Sequence, residues 1–156
     1  MDFLGGNGND CNGHGTHCAG VAAGSNYGVA SSANVYGVRV LSCMGYGSQS
    51  GVIAGMDYVV LSGNRPAVAS MSIGGPKSAA QDTAVTKMNE AGIPVIVASG
   101  NSNADACSVS PSGAPDAYTV AASDLGDNRL STSNYGLCVD IFAPGASITS
   151  AWIPTN

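Results

Sequence analysis

Charged side chains are scarce in this chain, since 10% of its 156 residues are Asp, Glu, Lys or Arg. Five basic residues against ten acidic ones give a formal charge of −5, so we expect no basic surface for nucleic acid. No apolar run approaches the length of a membrane-spanning helix, and no membrane partner is expected. The first residues, Met-Asp-Phe-Leu-Gly-Gly, lack the basic start and apolar stretch of a signal peptide.

Cysteines are few, and none belongs to a Cys-x-x-Cys pair. The five are Cys11, Cys18, Cys43, Cys107 and Cys138. An odd number allows at most two disulfides and leaves one thiol over. Pairing the first with the third and the last two with each other would close loops of similar length, each bridge contributing about 3–4 kcal/mol on chain-entropy grounds. Five reduced, buried thiols are the alternative.

The rest of the composition is apolar and rich in small residues, with 44% hydrophobic residues and 22 glycines. That content is too apolar for a disordered chain and too rich in Gly and Ser for a helical bundle. A chain of this length can bury one sizeable core. Because we find neither an internal repeat nor a linker, we expect a single domain over residues 1–156.

Apolar patterning predicts alternating strands and helices. We predict helices at 14–23, 52–61 and 79–91, and strands at 35–41, 67–73, 95–98, 118–122 and 139–142. The longer strands are continuous apolar runs, which is typical of strands covered on both faces of a parallel sheet. The sequence therefore predicts an α/β fold with a mostly parallel central sheet and helices on both faces.

Three loops rich in Gly and Ser follow predicted strands, at 45–50, 74–78 and 99–103. In an open α/β sheet, ligands bind beyond the carboxyl ends of the strands. Glycine also lets another backbone approach closely. We therefore expect function at this edge of the sheet.

The strongest motif is the run from Asp10 to Gly20, Asp-Cys-Asn-Gly-His-Gly-Thr-His-Cys-Ala-Gly. It resembles the active-site histidine motif of the subtilases, the subtilisin-like serine peptidases of S8 type, in their proteinase K-like and aqualysin-like branch. Further blocks match in the family's order, at 38–41, 53–57, 72–75, 98–101, 133–136 and 141–145. The resemblance implies a three-layer subtilisin-like fold and a serine endopeptidase with a Ser-His-Asp triad.

Two side chains carry over to catalytic positions. His14 matches the triad histidine, which takes a proton from the serine hydroxyl and returns it to the leaving amine. Asn101 matches the oxyanion-hole asparagine, whose amide donates to the tetrahedral oxyanion. The alternatives are a helix-capping imidazole and a turn-forming asparagine. Cys18 matches a thiol beneath the catalytic imidazole, and we expect packing rather than a nucleophilic role.

Substrate binding in the family relies mostly on backbone hydrogen bonds, since a peptide adds as an extended strand between two enzyme segments. The residues that match these segments and the adjoining pocket are Gly45, Tyr46, Gly47, Ser72, Ile73, Gly74, Gly75, Ala98, Ser99 and Gly100. Pocket walls formed by small residues imply a large apolar pocket. We therefore expect cleavage after aromatic or large aliphatic residues rather than after charged ones.

The resemblance also implies a structural calcium ion. The carbonyls of Pro115 and Ala117 and the carboxylate of Asp140 match ligands in relatives, and hard oxygen ligands suit that ion. The alternative for Asp140 is an ordinary surface acid. No organic cofactor is expected.

The cysteine pattern matches two disulfides of aqualysin-like members, Cys11 with Cys43 and Cys107 with Cys138, which leaves Cys18 free. Disulfides indicate an oxidising compartment, so we expect a secreted, extracellular protein despite the missing leader. The other expected partners are polypeptide substrates and an N-terminal propeptide in the precursor. The expected assembly is a monomer.

Two family motifs do not occur in these 156 residues: the Asp-Thr-Gly or Asp-Ser-Gly of the triad aspartate and the Gly-Thr-Ser-Met-Ala of the nucleophile. We expect that this stretch is a partial catalytic domain between the two motifs, with Met1 added or accidental. These residues alone should not hydrolyse peptides. The alternative is a catalytically dead, subtilase-like peptide-binding protein.

Two other classes deserve comparison. The loop Gly45–Gly51 resembles a dinucleotide-binding loop, but its third glycine is one position late and no acid ends the next strand. Cys11, His14, His17 and Cys18 crowd together like zinc ligands. Four ligands around one helical turn cannot easily surround a tetrahedral ion, so zinc is disfavoured.

Overall fold

The computed structural model describes residues 1–154, which separate into two compact units. The first unit contains residues 1–55 and the segment from 148 onward, and the second contains residues 56–147. The helices are α1 (His14–Ala23), α2 (Gln49–Ser62) and α3 (Ala79–Glu90), and Ala106–Ser108 forms a short 3-10 helix. The strands are β1 (Ala69–Met71), β2 (Gly75–Pro76), β3 (Val95–Ala98), β4 (Val109–Ser110), β5 (Tyr118–Ser123) and β6 (Ile141–Pro144).

A parallel sheet organises the second unit. Its strands lie in the order β1-β3-β5-β6, and every neighbouring pair is parallel. The register places Ala69 beside Val95 and Val120 beside Ile141. A separate antiparallel ladder joins β2 to β4, with Gly75 opposite Ser110.

The core of the second unit lies between α3 and β3. The largest buried apolar side chains here are Val85, Met88, Ile93, Val95 and Val97. Residues in β3 alternate between buried and half-buried positions, as expected where one face of a strand packs more tightly than the other. The Ser78 side chain caps α3 by accepting a hydrogen bond from Gln81 N at 3.3 Å, which satisfies a backbone donor of the first turn.

The first unit contains α1 and little regular sheet. The strand predicted at 35–41 is wrong, because among the described residues its ladder pairing is limited to one parallel bridge, between Asp2 and Arg39. Phe3 N donates to the Arg39 carbonyl at 3.0 Å, and the Arg39 guanidinium lies 3.0 Å from the Asp2 carboxylate. An apolar, β-branched run forms a strand only where a neighbouring strand supplies a ladder, and one bridge does not make one.

Elsewhere the predicted bounds hold closely or shift by a few residues. The helix at 14–23 and the strand at 95–98 are confirmed, and α3 ends one residue earlier than predicted. The helix predicted at 52–61 begins at Gln49, and the strand predicted at 139–142 lies at 141–144. The segment 74–78 was predicted as a loop, but part of it pairs as β2 with a partner distant in sequence. No helix among the described residues has the length and apolar character needed to cross a membrane.

We predict that Val95→Ala lowers the free energy of unfolding by about 2–3 kcal/mol, because the substitution removes two buried methyl groups and leaves a small cavity. Val95 is 1% exposed, whereas Val68, just before β1, is 65% exposed. The matched control Val68→Ala should change stability by less than about 0.5 kcal/mol. Urea denaturation followed by circular dichroism measures both. Equal losses would show that the core does not lie where the structure places it.

Candidate active site

The carboxyl ends of two adjacent parallel strands bring two predicted site segments together in the second unit. β1 ends at Met71 and β3 at Ala98, so the residues that follow each strand emerge at the same edge of the sheet. A cavity of about 290 Å³ opens there. It is lined by Gly74, Gly75, Gly100, Asn101, Ser102, Val109 and Asn134.

The cavity contains four of the residues predicted for substrate and oxyanion binding: Gly74, Gly75, Gly100 and Asn101. None of its lining residues carries a charge. Ser72, Ile73, Ala98 and Ser99 belong to the same strand ends but are not among the lining residues. Ser99 is 2% exposed, and its amide N donates to the Val120 carbonyl at 2.9 Å, so it faces the protein interior.

Asn134, which sequence analysis assigned no role, forms part of the cavity lining. Its side chain is 1% exposed and hydrogen-bonds to the backbone that flanks Asn101. It lies in the matched block 133–136, which was the one signal available in the sequence. A role for it could not be read from that block, because its bonding partners are some thirty residues earlier in the chain.

His14 begins α1 in the first unit and is exposed. Its Nε2 atom lies 3.8 Å from the Sγ atom of Cys18, one helical turn further on. The Cys18 thiol is half-buried and forms no disulfide. This geometry agrees with a thiol beside the imidazole.

The Asp10 carboxylate fixes the backbone on both sides of His14, a role that sequence analysis did not assign to it. Its carboxylate accepts hydrogen bonds from the amides of Asn12, Gly13 and Thr16 at 2.9 Å and from the Thr16 hydroxyl at 2.7 Å. Gly13, the residue at the N-terminal cap of α1, has no side chain to cap the helix, and Asp10 accepts from the first-turn amide of Thr16 in its place. Burial raises the pKa of Asp10, but these hydrogen bonds outweigh burial and hold the pKa well below its ordinary value of 3.8.

The start of α1 is also fixed by the segment from 148 onward, within the same unit. Gly13 has a φ of +97°, and a Cβ atom there would lie 2.5 Å from the Trp152 ring. Both the backbone conformation and the lack of space therefore require glycine. The imidazole Nε2 of His17 lies 3.1 Å from the Ile148 carbonyl oxygen, and the Ser150 hydroxyl donates to the His17 carbonyl at 2.8 Å. His17 is therefore bonded to residues far along the chain.

The segment Gly45–Gly47 forms a tight turn in the first unit. Ser42 N donates to the Tyr46 carbonyl at 2.8 Å, and Gly45 N donates to the Ser42 carbonyl at 2.9 Å. The Tyr46 side chain is 77% exposed. The turn therefore exposes both the Tyr46 ring and the flanking glycines to solvent.

Both disulfides implied by the resemblance are present. Cys11 pairs with Cys43 and Cys107 with Cys138, and Cys18 is the free cysteine. A disulfide sulfur cannot serve as a thiolate ligand, so the grouping considered for zinc loses Cys11. The dinucleotide alternative also weakens, because 35–41 does not supply the strand that such a loop must follow.

The three predicted calcium ligands lie at the opposite edge of the sheet from the cavity. Pro115 and Ala117 precede β5, and Asp140 directly precedes the neighbouring strand β6. The exposed Asp140 carboxylate accepts a hydrogen bond from Thr119 N at 2.6 Å. Carbonyl and carboxylate oxygens are the ligands calcium prefers, so the donor set fits, with water completing the six to eight ligands it takes.

The chain is similar to known proteins in both sequence and fold. The family model described as the subtilase family, of peptidase S8 type, matches residues 4–156. The chain is 55% identical over 152 residues to an extracellular serine proteinase of Thermus sp. (strain Rt41A) and 54% identical over 143 residues to alkaline serine exoprotease A of Vibrio alginolyticus. A crystal structure of a cold-adapted subtilisin-like serine proteinase superposes with a TM-score of 0.95 at 51% identity.

The matches cover most of this chain but a smaller part of each relative. They include 97% of this chain and 37% of the Thermus protein, and 92% of this chain and 27% of the Vibrio protein. For the crystal structure the shares are 97% and 56%.

We predict that Asp10→Asn destabilises the chain by about 1 kcal/mol at neutral pH, the usual cost of weakening a helix cap. Because folding lowers the pKa of Asp10, its contribution is complete above 3.8 and declines as the pH falls from there toward the folded-state value. The difference between wild type and variant should therefore shrink in acid. Denaturant titrations at neutral and acidic pH measure it.

The control is Asp57→Asn, at an exposed position of α2, which should leave the free energy of unfolding nearly unchanged at both pH values. A difference between wild type and Asp10→Asn that grows in acid would contradict the assigned hydrogen bonds.

Proposed function

Because the chain belongs to the subtilase family, we propose that the complete protein containing it is a serine endopeptidase that hydrolyses peptide bonds with a Ser-His-Asp triad. The three-layer α/β fold predicted from the sequence is confirmed by the close superposition on a subtilisin-like proteinase. The activity is assigned to the complete protein, since the chain spans 37% or less of the curated relatives described above.

The cavity at the carboxyl edge of β1 and β3 carries this proposal. It brings the predicted oxyanion donor Asn101 together with Gly74 and Gly75 after β1 and with Gly100 of the predicted pocket wall, in a lining without charged side chains. An amide donor aimed at the developing oxyanion stabilises the transition state more than the substrate. His14 acts as general base toward the serine and then as general acid toward the leaving amine.

The same cavity supports a preference for large apolar residues before the cut bond. Gly74, Gly75 and Gly100 contribute no side-chain volume, so their part of the wall is backbone. An uncharged pocket leaves a substrate Lys, Arg, Asp or Glu without a partner and makes its desolvation costly. Apolar side chains do not pay that penalty.

We also propose the remaining assignments made from the sequence. The family match spans residues 4–156, which supports one catalytic domain. Two disulfides and the printed name of the Thermus relative, an extracellular serine proteinase, support secretion. A propeptide in the precursor and a monomeric mature enzyme complete the proposal.

A calcium ion held by Asp140 and the carbonyls of Pro115 and Ala117 would play a structural part. It would tie the segment before β5 to the start of β6 through a shared cation, at the edge away from the cavity. Its ligands lie outside the cavity lining, so it takes no part in the hydrolytic steps.

We predict that the product of the complete coding region cleaves blocked peptide anilides fastest after Phe or Leu. Asn101→Ala should lower kcat by about 10²–10³, the loss that follows removal of an oxyanion-hole amide in a subtilisin. His14→Ala should lower kcat by about 10⁶, again by comparison with a subtilisin. Steady-state kinetics on a set of these anilides, with different residues before the cut bond, measure the specificity and the effects of both substitutions.

Asn26→Ala, at an exposed turn, is the matched control for the asparagine and should keep wild-type rates. Fastest cleavage after Arg or Lys would contradict the proposed specificity. Cleavage of unblocked peptides alone would indicate an exopeptidase. Peptide binding without turnover in the wild type would establish the alternative, a catalytically dead peptide-binding protein.

We predict that calcium raises the melting temperature of the 156-residue chain and that a chelator reverses the effect. Binding to the folded state alone contributes about 2.7 kcal/mol at a hundredfold excess over Kd. Asp140→Asn should abolish the response, because it removes the anionic ligand while keeping an oxygen that can accept from Thr119 N. Asp57→Asn is the control and should respond like wild type, whereas an unchanged response in Asp140→Asn would refute the site.

A further inference from the structure

The loop that carries Asn101 is hydrogen-bonded along most of its length to a neighbouring segment, residues 132–134, within the second unit. Asn134 N donates to the Gly100 carbonyl and Asn103 N donates to the Thr132 carbonyl, both at 2.9 Å. These two backbone bonds lie on either side of Asn101.

The Asn134 side chain adds three more bonds to the same loop. Its Nδ2 atom donates to the Ser99 carbonyl at 2.9 Å, while its Oδ1 atom accepts from Ser102 N at 2.9 Å and from Ala104 N at 3.1 Å. Among residues 99–104, every residue except Asn101 is thus bonded to 132–134. Asn101 makes no hydrogen bond to any residue that the structure describes; it is the apex of a loop fixed on both sides, and it lines the cavity.

The neighbouring Gly100 shows how closely this loop fits around the carboxamide. Gly100 has a φ of +102°, and a Cβ atom there would lie 2.5 Å from Asn134 Nδ2. The turn into Asn101 therefore needs both a residue without a side chain and a buried amide in one orientation.

We infer that Asn134 is a positioning residue for peptide hydrolysis: its buried carboxamide sets the backbone of residues 99–104 and thereby aims the Asn101 amide. The inference rests on the proposed function. Asn134 touches no reacting atom. It acts through Asn101, because an oxyanion donor displaced by about an ångström loses much of its effect, and such displacements cost up to about 10² in rate.

The first test needs no peptidase activity, and its wild-type part needs no substitution. Amide hydrogen exchange on the 156-residue chain should show slow exchange at Ser102 and Ala104, whose N–H groups bond to Asn134 Oδ1. Asn134→Ala should speed both amides by at least about tenfold while the amides of β3 stay protected. Exchange at unstructured-peptide rates in the wild type would overturn the inference, whether or not the variant folds.

The second test is a double-mutant cycle in the complete protease. Asn134→Ala should lower kcat by about 10–10² with little change in KM, because the donor acts in the transition state. In combination with Asn101→Ala it should cost nothing further, since the group it positions is then gone. Additive losses, or a loss confined to KM, would overturn the inference.

Ser112→Ala is the matched control. Ser112 is also buried, at 2% exposed, but its hydroxyl donates to the Ala106 carbonyl, outside both 99–104 and 132–134. It should lower stability and leave kcat unchanged. An equal fall in kcat for Ser112→Ala would reduce Asn134 to a general structural role. A wild type without peptidase activity would overturn the proposed function, and this inference with it, before any variant is measured.

Discussion

The parallel pairing of β1 with β3 is the constraint on which the candidate site depends. Parallel neighbours must end at the same edge, so the register of Ala69 with Val95 determines that the residues after Met71 and after Ala98 meet. Apolar burial in α3 and β3 holds that register, because a slip by one residue would turn Val95 and Val97 away from the core. The cavity of the second unit is thus a consequence of how its core packs.

Sequence patterning captured the features that local forces determine. The helix at 14–23 and the strand at 95–98 follow from apolar periodicity and were predicted with correct bounds. Features that depend on partners distant in the sequence were not predicted. The run 35–41 has strand composition but lacks a ladder, and Gly75 pairs with Ser110 although its surroundings look like a loop. The same holds for the site. Glycines and an asparagine that follow a strand can be recognised in the sequence, whereas the contacts of Asp10 and Asn134 cannot.

Asp10 and Asn134, the two polar side chains that sequence analysis missed, both hydrogen-bond to nearby backbone groups, each within its own unit. Asp10 collects donors at the start of α1, where the helix N-terminus favours a negative charge, and it remains partly exposed. Asn134 collects a carbonyl and two amides in the interior. Each satisfies backbone groups that the local chain leaves unpaired, and each lies beside a predicted catalytic residue.

The choice of a carboxylate in one place and an amide in the other follows from burial and from hydrogen-bond chemistry. A carboxylate only accepts, and Lys and Arg only donate, so none of them could bond the Ser99 carbonyl and the Ser102 amide together. A charge as deeply buried as Asn134 would also carry a desolvation cost without a counter-ion. An uncharged amide with both a donor and an acceptor meets both demands. It also leaves the cavity free of fixed charge around Asn101, the same side chain in an exposed position and the proposed donor to a developing oxyanion.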